Sequence, residues 1–145
     1  MQESKTLNYY DEKTQEFIES TVNVDFQETQ DKFLKLLAPQ AHILDFGCGS
    51  GRDAKYFLEQ GFQVTAIDGS AELCKFASAL TGIEVKQMFF QELSEIESYD
   101  GIWACSSILH LSYADLKDVF LKMVKAVKNG GVIYTSFKYG SFEGY

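Results

Sequence analysis

The chain has 145 residues, of which 46% are hydrophobic, and its 13 basic against 21 acidic residues give a formal net charge of -8. This composition supports a single folded domain and argues against broad electrostatic binding of nucleic acid or anionic lipid. No apolar run is long enough to span a membrane, the start is polar and acidic, and the three cysteines lack a CxxC spacing. We therefore expect a reduced, cytoplasmic protein with no leader and no membrane partner.

The N-terminal part of the chain is predicted to be helical. The apolar spacing indicates helices near residues 12–20 and 25–38, the second of which ends before Pro39, the only proline. We expect one domain over residues 1–145, in which residues 1–38 form a helical cap and residues 39–145 form the core.

Strands and helices alternate through the predicted core. Strands are predicted over residues 42–47, 62–68, 83–90, 100–107 and 132–137. The helices between them are predicted to end at Gly61, at Gly82 and at the pair Gly130 and Gly131. This alternation predicts a Rossmann-like, doubly wound α/β fold with a mostly parallel sheet of about five strands and helices on both faces. Ligands of such sheets bind beyond the carboxyl ends of the strands.

The turn after the first predicted strand contains Gly47, Gly49 and Gly51. A dinucleotide fingerprint, G-x-G-x-x-G, would place its third glycine at position 52, where this chain has Arg52. A P-loop is also excluded, because no Gly-Lys-Ser/Thr follows. The glycines thus indicate either a close approach of a ligand to the backbone or only a tight structural turn.

Two carboxylates lie at the ends of the first two predicted strands. Asp45 precedes the glycines, where it would repel a pyrophosphate but would attract an ammonium or a sulfonium group. Asp68 stands about 20 residues past the first glycine, where a carboxylate can accept both hydroxyls of a ribose. An ordinary turn aspartate is the alternative for Asp68. Together, the two acids predict a positively charged nucleoside that is not a dinucleotide.

These motifs resemble those of the class I S-adenosylmethionine-dependent methyltransferases. The resemblance runs from about Pro39 to Phe137, and its carriers are "LDFGCGSGRDA", "VTAIDGS", "FFQEL", "YDGIWACSSILHL" and "VKNGGVIYTSF". It implies S-adenosylmethionine as cofactor, S-adenosylhomocysteine as product, and methyl transfer to a small-molecule acceptor.

The resemblance also implies which residues of the first two strand ends surround the cofactor. By position, these are Asp45, Gly47, Cys48 and Gly49 for the methionine end, Asp68 for the ribose, and Gly69 and Ser70 for the adenine.

Two later segments contribute by the same resemblance. The family reads the adenine edge after the third strand, often with an aspartate, and this chain has Gln91, Glu92 and Leu93 there. Gln91 offers both an acceptor and a donor, so the choice between Gln91 and Glu92 stays open. Ala104 and Cys105 end the fourth strand, near the methionine amino group.

The N-terminal segment resembles the cap of some small-molecule members of the family, in which Tyr10 and Thr21 would close over the cofactor. Methyl transfer from a sulfonium is an in-line displacement that depends mainly on alignment, so no protein nucleophile is expected. His110 is the candidate general base, with a histidine that only packs as the alternative. No Cys/His/Asp cluster has the spacing of metal ligands, so no metal is predicted.

The family's usual sheet has two more strands after the fifth, and the eight residues that follow position 137 leave no room for them. We therefore expect a C-terminally short member whose fifth strand is an exposed edge that either pairs with another chain, such as a second copy, or makes the protein aggregate. Two alternatives to a methyltransferase stay open. One is a non-catalytic module that binds S-adenosylmethionine or S-adenosylhomocysteine, and the other is an NAD(P)-dependent oxidoreductase.

Overall fold

The computed structural model describes residues 27–105 and 111–136. The helices in these ranges are α1 (Gln27–Leu34), α2 (Arg52–Glu59), α3 (Ala71–Thr81) and α4 (Tyr113–Ala126). The strands are β1 (His42–Phe46), β2 (Gln63–Asp68), β3 (Lys86–Gln87), β4 (Tyr99–Cys105) and β5 (Val127–Ser136), with a 3-10 turn at Phe90–Glu92. None of the described helices is long and apolar enough to cross a membrane. The helix predicted near residues 12–20 lies outside the described residues.

The five described strands are all parallel and lie in the order β3-β2-β1-β4-β5. In the central strand β1, Asp45 lies opposite Ala66 of β2 on one side and Trp103 of β4 on the other. The strand order reverses between β1 and β4. In this architecture, ligands bind in the crevice outside the carboxyl ends of the strands where the order reverses. The predicted Rossmann-like parallel sheet is therefore confirmed. The expected pairing of the β5 edge with a second copy stays a prediction.

Apolar side chains cover both faces of the sheet, as a parallel sheet requires. On one face, Met123 of α4 packs in a cluster with Phe46 of β1. On the other face, Phe33 of α1, Phe57 of α2 and Trp103 of β4 form an aromatic cluster with ring centroids 5.1 to 5.8 Å apart. This second cluster packs α1 and α2 against β4.

The third strand is shorter than the predicted 83–90. Only Lys86–Gln87 pair with β2. In the 3-10 turn that follows, the Glu92 side chain accepts a hydrogen bond of 2.7 Å from the backbone amide of Phe89. The chain leaves the sheet at this turn, and Phe90 packs, partly buried, against the core.

The helix α4 ends before Gly130 and Gly131, which were predicted to end it, and β5 already begins at Val127. The register of β5 against β4 shifts in this region. Gly130 has a φ of 83°, and a Cβ on Gly131 would lie 2.7 Å from the Asp100 carbonyl oxygen. The two glycines thus lie within β5 where its register against β4 shifts, and the prediction that they end a helix was wrong.

The helix α1 ends at Leu34 and is shorter than the predicted 25–38. The amides of Leu36 and Leu37 bond to carbonyl oxygens three residues earlier, which is a tightened turn of the 3-10 type. Pro39 disfavours helical backbone at Ala38 and so limits how far the helix could extend.

The aromatic cluster gives a test of the core. Phe57 has no exposed surface, so the substitution Phe57→Ala should lower the free energy of unfolding by about 3–5 kcal/mol, measured by urea denaturation. The control is Leu121→Ala on the outer face of α4, where the side chain is 56% exposed and the change should stay within about 0.5 kcal/mol. Similar losses in the two variants would contradict this assignment of the core.

Candidate cofactor-binding site

The glycine loop after β1 has a backbone that requires glycine. Gly47, Gly49 and Gly51 have φ values of 81°, 57° and 91°, in the left-handed region that other residues rarely adopt. A Cβ on Gly51 would also lie 3.0 Å from a side chain of α3. The amides of Gly47 and Cys48 both donate to the Ile67 carbonyl oxygen, at 3.0 and 2.9 Å, and so tie the loop to β2.

Asp68, the last residue of β2, joins the glycine loop to α3. One carboxylate oxygen accepts from the Gly49 amide at 2.8 Å, and the other accepts from the Ser70 amide at 2.9 Å. Ser70 in turn caps α3 by accepting from the Leu73 amide at 3.3 Å. These two bonds fix the position of the Asp68 carboxylate at the end of β2.

Asp45 lies on β1 directly before the glycine loop and is only 2% exposed. Burial, together with the negative charges of Asp53 and Asp68, raises the pKa of its carboxyl well above the ordinary value. Arg52 and a hydrogen bond from the Ala54 amide lower that pKa, but by less. Among the described residues, Oδ2 of Asp45 has no hydrogen-bond partner. Such a buried acceptor fits a ligand group that donates hydrogen bonds or carries positive charge.

Asp53, the second residue of α2, is a part of this region that the sequence interpretation missed. Its buried carboxylate accepts hydrogen bonds from Gln30 Nε2 at 2.6 Å, from Trp103 Nε1 at 2.9 Å, and from Arg52 Nη2 and Nε at 3.0 and 3.1 Å. It thereby joins α1, α2 and β4 next to the glycine loop. The only sequence signal was an acid in the first turn of a helix, which is ordinarily explained by the helix dipole.

The segment after β3 holds the residues predicted to read the adenine. The Glu92 side chain is exposed and uses one oxygen to cap the 3-10 turn at Phe89. Oε1 of Gln91 is buried and has no hydrogen-bond partner among the described residues. The Gln91 backbone is held from α4, because Lys122 Nζ donates to its carbonyl oxygen at 2.5 Å. Leu93 is buried in the core that Phe46 and Met123 share.

Cys48 is the predicted loop residue with a reactive type of side chain. Its thiol is buried, and this burial, with the charges of Asp45 and Asp68, raises its pKa well above the ordinary value. A neutral, buried thiol is a poor nucleophile. Cys48 therefore serves as a loop residue.

Some of the remaining predicted residues lie in the part of the chain that the structure describes, and others lie outside it. Ala104 is fully buried near the end of β4, and Cys105 pairs in register with Ser136 of β5. Tyr10, Thr21 and His110 lie outside the described residues, so their predicted roles stay predictions.

The predicted residues of the first two strand ends lie together at one edge of the sheet. They are Asp45, Gly47, Cys48, Gly49, Asp68, Gly69 and Ser70. A buried acidic edge with a glycine loop is thus built around β1 and β2, and Gln91 follows the neighbouring strand β3.

A family described as "Methyltransferase domain" matches residues 43–131, which is more than half of the chain. The chain therefore belongs to this family, and the resemblance to class I S-adenosylmethionine-dependent methyltransferases is confirmed.

Two curated relatives illustrate the extent of the similarity. Malonyl-[acyl-carrier protein] O-methyltransferase of Salmonella typhimurium is 30% identical over 125 residues, which cover 79% of this chain and 47% of that protein. Ubiquinone biosynthesis O-methyltransferase of Rickettsia conorii is 29% identical over 120 residues, covering 79% and 39%. The chain thus spans less than half the length of these relatives.

A solved structure agrees on the fold. The TehB-like SAM-dependent methyltransferase of Corynebacterium glutamicum superposes with a TM-score of 0.73 at 20% identity, over 94% of this chain and 75% of that one. At this identity the likeness shows the fold alone.

The Asp53 contacts give a test of how the site is held together. The substitution Gln30→Leu should lower the free energy of unfolding by about 1–3 kcal/mol, because it removes a donor from a buried carboxylate. Lys32→Gln on the same helix removes only an exposed ion pair with Glu28 and should cost less than about 1 kcal/mol. Chemical denaturation of both variants decides the matter, and a Gln30→Leu variant as stable as the control would show that this contact contributes little.

Proposed function

We propose that the chain binds S-adenosylmethionine at the carboxyl ends of β1 and β2 and supports transfer of its methyl group to a small-molecule acceptor. One observation carries the proposal. Oδ2 of Asp45 is a buried acceptor without a partner in the described residues, directly before a left-handed glycine loop. The ammonium group of the cofactor's methionine end is a donor of the required charge.

The charge of the site supports this cofactor over a dinucleotide. Three buried carboxylates, those of Asp45, Asp53 and Asp68, lie near one guanidinium, that of Arg52. Uncompensated buried charge is costly, so the site favours a cationic ligand group and disfavours a pyrophosphate. This argues against the NAD(P)-dependent alternative.

The geometry of Asp68 supports its assignment to the ribose. Its bonds to the Gly49 and Ser70 amides fix the carboxylate before any ligand binds. A pre-organised acceptor does not have to be ordered on binding, which lowers the cost of binding. The same two bonds align the glycine backbone beside it.

For the adenine, the contacts favour Gln91 over Glu92. Oε1 of Gln91 is a buried acceptor that fits the exocyclic amine of adenine, whereas Glu92 already uses an oxygen at Phe89. Lys122 holds the backbone of the same turn.

The chemistry follows from binding and alignment. The bound cofactor supplies a methyl group on a positively charged sulfur, which leaves as a neutral thioether. The chain's residues hold this group in place, exclude water from the acidic edge, and leave the acceptor to attack in line. No protein nucleophile is used.

The acceptor atom we propose is oxygen. The two curated relatives above are named as O-methyltransferases. A hydroxyl acceptor carries a proton, so a general base is useful, and His110 is our candidate for that role.

The proposal is tested by isothermal calorimetry with S-adenosylhomocysteine, S-adenosylmethionine and NADH. We expect the first two to bind and NADH not to bind. Methyl transfer is then assayed on a panel of hydroxyl and carboxyl acceptors. Binding without transfer to any acceptor would favour the non-catalytic module, and binding of NADH alone would overturn the proposal.

The ribose assignment predicts that Asp68→Ala weakens S-adenosylhomocysteine binding by about 10- to 150-fold, the loss of about 1.5–3 kcal/mol expected for charge-assisted hydrogen bonds. The control is Glu84→Gln, which removes an exposed carboxylate and should leave the affinity unchanged. Calorimetry gives both constants, and thermal unfolding checks that the variants are folded. An unchanged affinity in a folded Asp68→Ala variant would remove the ribose assignment.

The adenine assignment predicts that Gln91→Leu lowers the affinity for S-adenosylhomocysteine by about 10-fold, through loss of one hydrogen bond. Glu92→Gln keeps an oxygen that can accept from the Phe89 amide, so its affinity should stay that of the unmodified protein. The opposite ranking of the two variants in calorimetry would assign the adenine to Glu92.

A further inference from the structure

The three buried carboxylates next to the glycine loop differ in how well they are compensated. Asp53 accepts from donors of three elements, including the ion pair with Arg52 at 3.0 Å. Asp68 accepts from two backbone amides. Asp45 is as deeply buried as either, yet its Oδ2 has no partner among the described residues. Of these three carboxylates, Asp45 is therefore the one that most readily holds a proton.

The described surroundings of Asp45 contain little positive charge. From α2 it faces Arg52, already paired, and Asp53. From the glycine loop it faces Cys48, whose buried thiol is neutral, and from the end of β2 it faces Asp68.

The other described neighbours of Asp45 add no charge. Its register partners are Ala66 in β2 and Trp103 in β4, both neutral, and the indole N–H of Trp103 donates to Asp53. Gln30 of α1 is neutral as well and also donates to Asp53.

We propose that Asp45 holds a proton until the cationic amino-acid end of the cofactor binds, and that Asp53 is a positioning residue that enforces this exchange. The inference rests on the proposed cofactor. The step is balanced: the Asp45 carboxyl loses its proton to solvent, and the resulting carboxylate pairs with the ligand's ammonium group. No group is oxidised or reduced, and no other reactant is needed.

The physical cause is the repulsion between neighbouring carboxylates in a buried place. Two such groups ionise together only at a cost, and the proton stays on the one with fewer donors. Three partners hold the Asp53 charge, so the proton stays on Asp45. The raised pKa of Asp45, caused first by burial and then by Asp53, agrees with this ordering. A cation bound next to Oδ2 favours the ionised form of Asp45 instead.

The sign of the effect follows from linkage. Below the raised pKa of Asp45 the ligand must displace a proton, so affinity increases with pH, by at most about tenfold per pH unit for one proton. Above that pKa no proton is displaced and the affinity is constant.

The test is calorimetry of S-adenosylhomocysteine binding between about pH 5 and pH 8, in buffers with different ionisation enthalpies. This ligand carries the ammonium group without the sulfonium. We expect affinity to rise with pH wherever Asp45 is protonated in the free protein, and the observed enthalpy to depend on the buffer there, as release of up to one proton requires. The comparison ligand is 5′-methylthioadenosine, which lacks the amino-acid end and should bind with no such dependence.

Two variants separate this role from a purely structural one. Asp53→Asn removes the neighbouring negative charge and should move the levelling point to lower pH, whereas a structural defect would lower the affinity equally at every pH. Asp45→Asn should bind more weakly, without proton release. The control Glu84→Gln should keep the profile of the unmodified protein.

The outcomes are distinguishable. Binding of S-adenosylhomocysteine with flat affinity and no buffer dependence in the unmodified protein overturns the inference and leaves the proposed function standing. A pH slope that survives in Asp45→Asn assigns the proton to another group and also overturns it. Absence of binding at every pH overturns the proposed function itself. If Asp53→Asn does not fold, the buffer dependence of the unmodified protein and of Asp45→Asn still decides whether Asp45 releases a proton on binding.

Discussion

The carboxylate of Asp53 is the contact on which the arrangement of the site depends. A buried charge is tolerated only when donors surround it, and the donors here come from α1, α2 and β4 through Gln30, Arg52 and Trp103. The same bonds that satisfy the charge thus set the positions of these elements around the end of β1. The cost is electrostatic and falls on Asp45, because burial and the negative charge of Asp53 raise the pKa of its carboxyl at the place where a cation is expected to bind.

The second constraint is the turn that follows β1. Its left-handed glycines bring bare backbone to the edge of the sheet, and Asp68 fixes that backbone through the Gly49 amide. One side chain therefore orders the loop and, through its bond to the Ser70 amide, holds the residue that caps α3. A site of this kind is rigid before the ligand arrives, so little conformational entropy is lost on binding.

The sequence was sufficient for the fold and for the acids at the strand ends, because both depend on local patterns. Alternating strands and helices dictate the parallel sheet, and Asp45 and Asp68 stand where a sheet of this type collects its ligands. Asp53 could not be found in this way, since its partners Gln30 and Trp103 lie 23 and 50 residues away along the chain. Only the folded chain brings them together.

The errors in element boundaries have a similar origin. A pair of glycines looks the same whether it ends a helix or lies in an irregular stretch of a strand, and around Gly130 and Gly131 the chain pairs with β4. The short β3 is followed by a 3-10 turn in which Glu92 bonds the Phe89 amide, and the apolar run leaves the sheet there. The first of these is not visible in propensities, because tertiary pairing decides it, and the second involves a side-chain bond within a single turn.

Trp103 gives this arrangement a built-in optical reporter. It is the only tryptophan of the chain, it stacks on Tyr134 with ring centroids 4.2 Å apart, and its indole N–H binds Asp53. Ultraviolet emission from one unlabelled side chain therefore senses the hydrogen bonding of the carboxylate that joins α1, α2 and β4. Ligand-induced changes at this place can be followed in real time by stopped-flow mixing, with no dye attached to the protein.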